Sequence, residues 1–159
     1  MLTFRRRWGY RGRYMFRTAR ETLRNSLSRM RNRQFLDATM AATALVSTAD
    51  GDVTFSELSA LDNVLDSIQD SQIYDPHVAV DIYRDFADAI AENPEQGRDT
   101  ALAAASKIVG DHNAAELVIL VAIAISKADG KLSAQESDVI LELCELLGVR
   151  IPKDSEIPR

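Results

Sequence analysis

An all-α fold is predicted by three features of the 159-residue chain. Apolar residues recur at spacings of three and four along most of its length, and the strict alternation of a half-buried strand does not occur. The periodic segments are bracketed by helix-start and helix-stop chemistry, namely Asp-Pro, Asn-Pro, Thr-x-x-Glu, Ser-x-x-Glu and glycine. A shift of 79 residues also superimposes residues 46–57 on 125–136, so the pattern is an internal repeat. Together these predict a seven-helix bundle with a pseudo-two-fold internal repeat.

Residues 1–13 are too rich in Gly and Arg to predict a helix. From Tyr14 onward, Phe16, Ala19, Leu23, Leu27 and Met30 form one apolar stripe. Arg13, Arg17, Arg20, Arg24 and Arg31 form a basic stripe beside it, so the first expected helix is amphipathic and cationic. Residues 35–47 are apolar nearly all round after Asp37, as in a helix buried on most sides. Its small residues Ala38, Ala41, Ala42 and Ala44 permit close neighbours. A turn at residues 49–52 leads to a third helix with Thr54 as N-cap and Glu57 completing a capping box. Leu58, Leu61, Leu65 and Ile68 mark its inner face.

Asp75-Pro76 places proline at the first position of a fourth helix, where its missing N–H costs nothing. Ile82, Tyr83, Phe86 and Ile90 give its core face. Asn93-Pro94 opens an Ala-rich fifth helix expected to run to about residue 109, with Gly110 as its stop. The Asn113 to Glu116 pattern is capping-box-like and predicts the start of a sixth, strongly apolar helix. After a turn at residues 128–130, Ser133 and Glu136 cap the seventh helix. Its buried stripe is Val139, Ile140, Leu143, Leu146 and Leu147, and Gly148 terminates it. The chain divides into a basic, aromatic N-terminal extension (1–28), a helical domain (29–149) and a tail (150–159) expected to be loose.

In the repeat, Ser47, Ala49, Asp50, Gly51 and Glu57 map identically onto Ser126, Ala128, Asp129, Gly130 and Glu136. The A-D-G-x-[VL]-[ST]-x-x-E unit is similar to the second half of an EF-hand loop, which needs acids at positions 1, 3 and 5, Gly at 6 and Glu at 12. With Asp50 at position 5, positions 1 and 3 are Val46 and Thr48; the second copy has Ile125 and Lys127. A true EF-hand is therefore excluded. Two readings remain. In one, Asp-Gly makes a tight turn and the glutamates are caps. In the other, Asp50, Asp52, Glu57, Asp129 and Glu136 hold a divalent cation (calcium, magnesium, manganese or zinc) weakly. Lys131 stands where the first copy has Asp52, which disfavours a cation in the second copy.

The charge is split. The net charge is −5, from 19 basic and 24 acidic residues. Residues 1–34 hold eleven arginines against Glu21, or +10, which leaves −15 for residues 35–159. One cysteine, Cys144, excludes a disulfide framework and a thiolate zinc cluster. It is expected to be a packed thiol. His77 and His112 lie near helix starts without a matching acid or Cys motif and are expected at the surface. No phosphate-binding loop and no paired acid and base stand out, so the chain does not read as an enzyme. The longest apolar run, residues 117–125, is less than half of the roughly 20 residues a spanning helix needs. The basic N-terminus has no apolar run behind it, unlike a secretory signal.

The stretch Asn32-Arg33-Gln34-Phe35-Leu36, Met40 through Val46, Ala49-Asp50-Gly51 and Glu57 resembles the signature of the tellurite-resistance protein TerB family. The second copy, Ala124 through Gly130 with Glu136, is similar to that family's second half, and the resemblance runs from residue 29 to 149. It implies an all-helical, cytoplasmic, non-enzymatic domain of a tellurium- and stress-resistance system. It further implies an adaptor between a TerC-like membrane protein and calcium-binding TerD-like proteins, with the acids around the two A-D-G turns as metal or partner sites. The arginine-dense first 28 residues depart from the family.

Three partners suit that head. An anionic membrane surface at the inner face would meet Arg5, Arg6, Arg7, Arg11, Arg13, Arg17, Arg20 and Arg24, with Trp8 and neighbouring aromatics in the headgroup zone. A nucleic acid would take the same arginines, but the acidic body repels it. The third partner is the acidic body of this chain or of a neighbouring copy.

Overall fold

The computed structural model describes residues 21, 33–51, 59–63, 66, 76–129 and 132–151. Among them the chain is all-helical and has no strand. Five α-helices are complete: α1 (Arg33–Ser47), α2 (Pro76–Glu92), α3 (Pro94–Ser106), α4 (His112–Ser126) and α5 (Ala134–Leu147), with a 3-10 turn at Lys127–Asp129. Residues 59–63 and 66 are helical as well, within the segment predicted as the third helix. The predicted basic helix of residues 14–32 lies outside the described residues except for Glu21, which is helical. The Thr54–Glu57 capping box also lies outside them.

α1 is the centre of the bundle and packs against α2, α3, α4 and α5. Every residue from Phe35 to Ser47 except Asp37 is buried. Its alanines Ala38, Ala41, Ala42 and Ala44 are fully inaccessible, which lets four neighbours approach one axis. Three hydroxyls inside it donate back along their own helix, where an unpaired donor would be costly: Thr39 to the Phe35 carbonyl at 2.7 Å, Thr43 to Thr39 at 2.8 Å and Ser47 to Ala44 at 3.4 Å. Ser47 also shares a 3.0 Å hydrogen bond with the Tyr83 hydroxyl of α2. Tyr83, expected on the core face, is buried and anchored.

α2 and α3 form a tight hairpin. Asn93 is the N-cap of α3, and its side chain accepts from the Gln96 N–H at 3.2 Å. Gly97 sits on the end of α2: a Cβ there would lie 2.5 Å from the backbone of Ala89 and Ile90.

Two predicted boundaries move. α3 ends at Ser106, not near residue 109, because Lys107, Ile108 and Val109 bond to carbonyls three residues back and tighten the chain into turns. α4 begins at His112 with Asp111 as its N-cap; the Asp111 backbone is extended and its side chain accepts from the Ala114 N–H at 3.1 Å. Asn113, the predicted start, is already inside the helix.

α1 and α4 are both 15 residues long, and their first residues, 33 and 112, are 79 apart, as are their last, 47 and 126. The described residues 59–63 correspond at the same shift to 138–142 of α5, and the buried pair Ala60 and Leu61 matches the buried pair Val139 and Ile140.

Candidate functional site

The two A-D-G turns follow the two repeated helices. In the first, the Thr48 N–H and hydroxyl both reach the Ala44 carbonyl, at 3.1 and 2.6 Å, and the Gly51 N–H closes on Thr48 at 3.1 Å. Gly51 has a φ of 84°, a conformation that glycine adopts without strain. Asp50 is exposed on this turn. Asp52 and Glu57 lie outside the described residues.

In the second, the chain makes the 3-10 turn Lys127–Asp129. The Asp129 side chain, Gly130 and Lys131 lie outside the described residues. The predicted capping box is present: the Ser133 side chain accepts from the Glu136 N–H at 3.1 Å, and the Glu136 carboxylate accepts from the Ser133 N–H at 2.8 Å. Glu136 is 3% exposed. One of its oxygens is thus committed to a backbone donor, and burial shields the carboxylate from an incoming ion. Of the five candidate ligands, only Asp50 and Glu136 have described side chains, one exposed on the first turn and the other buried at the start of α5. Among the described residues no group of three or more His, Cys, Asp or Glu could hold a metal ion.

The remaining singled-out residues are ordinary in their surroundings. Cys144 is buried on α5, and desolvation pushes its thiol pKa up, which makes it a poor nucleophile. His77 and His112 are exposed, and the His112 Nε2 lies 3.1 Å from the Glu116 carboxylate. Leu146 is half-buried, while the rest of the predicted α5 stripe is in the core. Arg5, Arg6, Arg7, Trp8, Arg11, Arg13, Arg17, Arg20 and Arg24 all lie outside the described residues.

A feature missed in the sequence is the outer face of α2. Asp81, Asp85, Asp88 and Glu92 are all exposed there. Their 4-3-4 spacing was the available signal; attention to turns and apolar stripes passes over it. The only ion pair between helices among the described residues is elsewhere, joining Arg98 of α3 to Glu142 of α5 at 2.7 Å.

No helix among the described residues is long and apolar enough to cross a membrane. No curated protein and no solved structure gives a significant match. Among protein-family models, that of the tellurite resistance protein TerB matches residues 36–156, from the first turn of α1 past the end of α5. That span is most of the chain and carries both A-D-G turns with the helices on either side of each, so the chain belongs to the TerB family.

Proposed function

We propose that the chain is a non-enzymatic adaptor of a tellurite- and stress-resistance system. The carrying observation is the family match across both repeats, supported by an exposed surface rich in carboxylates on α2, α3 and α5. In this reading the bundle is built of seven helices in two copies related by a pseudo-two-fold, and its acidic surface takes protein partners, a TerC-like membrane protein and TerD-like soluble proteins. The basic head of residues 1–28 tethers the bundle to an anionic membrane at the inner face, so that the protein is cytoplasmic and peripheral. Arginines gain about 1 kcal/mol each near anionic lipid, which makes a head of this charge sufficient as a tether.

Crosslinking capture from the native host, with the full chain and a chain lacking residues 1–28, tests both parts. Proteins of the resistance system are expected with both baits, and the membrane fraction with the full chain alone. Capture of no such protein by either bait would overturn the adaptor reading. Flotation with anionic liposomes isolates the tether: equal flotation of the two chains would remove the membrane from the proposal.

A weak divalent cation is a second role for the first A-D-G turn. Asp50 is exposed there, whereas Glu136 of the second turn is buried and bonded as a cap.

A further inference from the structure

We propose that the arginine stripe of residues 13–24 docks on the exposed acidic face of α2 in the same molecule. On α2, Asp81, Asp85, Asp88 and Glu92 fall within about 60° of arc and about 17 Å of helix length, given the helical rise and turn. The opposite side of α2, with Ala79, Ile82, Tyr83 and Ile90, is buried against α1 and α3. Among the described helices only α1 and α3 pack closely on α2, and the four carboxylate residues are exposed. Only Arg84 and His77 lie on its flank, and neither makes an ion pair with these four carboxylates. Two carboxylates elsewhere are paired with arginine, Asp37 with Arg33 and Glu142 with Arg98. Four like charges four and three residues apart repel one another along a helix, so the face gains from a cationic cover.

The occupant is in the chain itself. Arg13, Arg17, Arg20 and Arg24 have the same 4-3-4 spacing. The spacing reads the same in both directions, so a helix carrying it matches α2 charge for charge whether it runs parallel or antiparallel. Arg33, where α1 begins, is nine residues beyond Arg24, and α1 lies directly against α2. The nine residues from Arg24 to Arg33 span about 14 Å if the predicted helix continues through them and about 30 Å if it unwinds, one to three helix diameters, so the head can be brought to this face of its own molecule. Tethering raises its effective concentration to about the millimolar range. Docked, the head would withhold from an anionic partner the arginines that the membrane reading assigns to it; only this consequence rests on that reading.

Trypsin cleaves after arginine, so the rate of cutting at Arg17 and Arg24 reports the docking. The variant Asp81→Asn/Asp85→Asn/Asp88→Asn/Glu92→Gln removes the face. It also relieves like-charge repulsion, so its helix is not weakened. The full wild-type chain is expected to be cut about tenfold more slowly than this variant, the summed effect of several exposed pairs. The protection should be lost in high salt and be unchanged on dilution. A control, Glu95→Gln/Asp99→Asn/Glu116→Gln/Asp138→Asn, removes the same charge elsewhere and should keep the protection. Equal cutting of wild type and α2 variant would overturn the proposal. Equal loss in the control would assign the effect to net charge, and protection that fades on dilution would assign it to a second copy; either overturns it. The assay contains no lipid, so a failure of the membrane reading shows only in flotation.

Discussion

α1 and α4 occupy equivalent places in the sequence repeat, have the same length and carry four alanines each, but they differ in their neighbours. α1 buries four alanines with Phe35, Leu36, Met40, Leu45 and Val46 and meets four helices; α4 buries Ala114, Ala115 and Ala122 with Leu117, Val118, Ile119, Val121, Ile123 and Ile125 and, among the described residues, meets α1, α5 and the 3-10 turn. Small side chains bring axes close, and large branched ones fill wider gaps. The pair Ala44 and Ile123 shows the divergence at one repeat position, since both are essentially inaccessible. At this position α1, the hub, presents a small side chain where α4 presents a large branched one.

Exchanging the two residues is the strongest way to break this contrast. Ile123→Ala leaves a cavity in α4 and is expected to cost about 2–5 kcal/mol. Ala44→Ile overpacks the hub and is expected to cost about 1–3 kcal/mol, with loss of a single well-ordered core. Urea midpoints measure both. A tolerated Ala44→Ile would show that α1 has room around it and would remove the hub from the argument.

The hairpin beside the hub makes the same point about close approach. Replacing a helical glycine with alanine normally stabilises by about 1 kcal/mol through propensity. At Gly97 the sign should reverse, because the new Cβ would fall on the α2 backbone. A net loss of about 1–3 kcal/mol is expected for Gly97→Ala. A higher melting temperature in that variant would mean that α2 and α3 are not held in this contact.

These effects also mark where the sequence was readable. The Ser133 and Glu136 cap was legible because it is local: a hydroxyl and a carboxylate three residues apart have few other uses before an apolar run. The start of α4 was less so, because Asp111 and Asn113 both suit a cap and only the turn before them, through Gly110, decides which residue is extended. The end of α3 was missed for a similar reason: Lys107 through Val109 continue the composition of the helix but not its hydrogen-bond step. The long-range contacts, Ser47 with Tyr83 and Arg98 with Glu142, depend on which helices become neighbours, and no local spacing encodes that. Of the candidate ligands, the sequence supplied residue types, while only burial separates Glu136, a cap, from Asp50, an exposed acid.

The repeat-equivalent serines sharpen the comparison on a smaller scale. Ser47 reaches across to Tyr83, whereas Ser126 donates to Ala122 of its own helix at 2.7 Å. A double-mutant cycle of Ser47→Ala and Tyr83→Phe should give a coupling of about 1 kcal/mol, the usual worth of one buried hydrogen bond. Ser126→Ala should cost less than Ser47→Ala, since the Ala122 carbonyl already serves the helix ladder. Equal costs for the two serines would make the cross-helix bond energetically silent.

The smallest expected effect concerns the two turns themselves. Hard cations need several oxygens at once, and weak extracellular-type calcium sites have dissociation constants near 10⁻⁴–10⁻³ M, roughly. In the second turn the Glu136 oxygen is held by the Ser133 N–H, so an ion would have to break a cap that secures α5. Lys131 adds a positive charge in that copy, where the first has Asp52. This difference in charge, Asp52 against Lys131, leads us to expect binding in the first turn alone. At a calcium concentration equal to the dissociation constant, the gain is about 0.4 kcal/mol, or a shift of about 1 °C for a chain of this size. Asp50→Asn should abolish the shift and Asp129→Asn should leave it. Zinc should do less than calcium, because neither turn offers sulfur or imidazole ligands. A shift lost in Asp129→Asn but kept in Asp50→Asn would reverse the assignment.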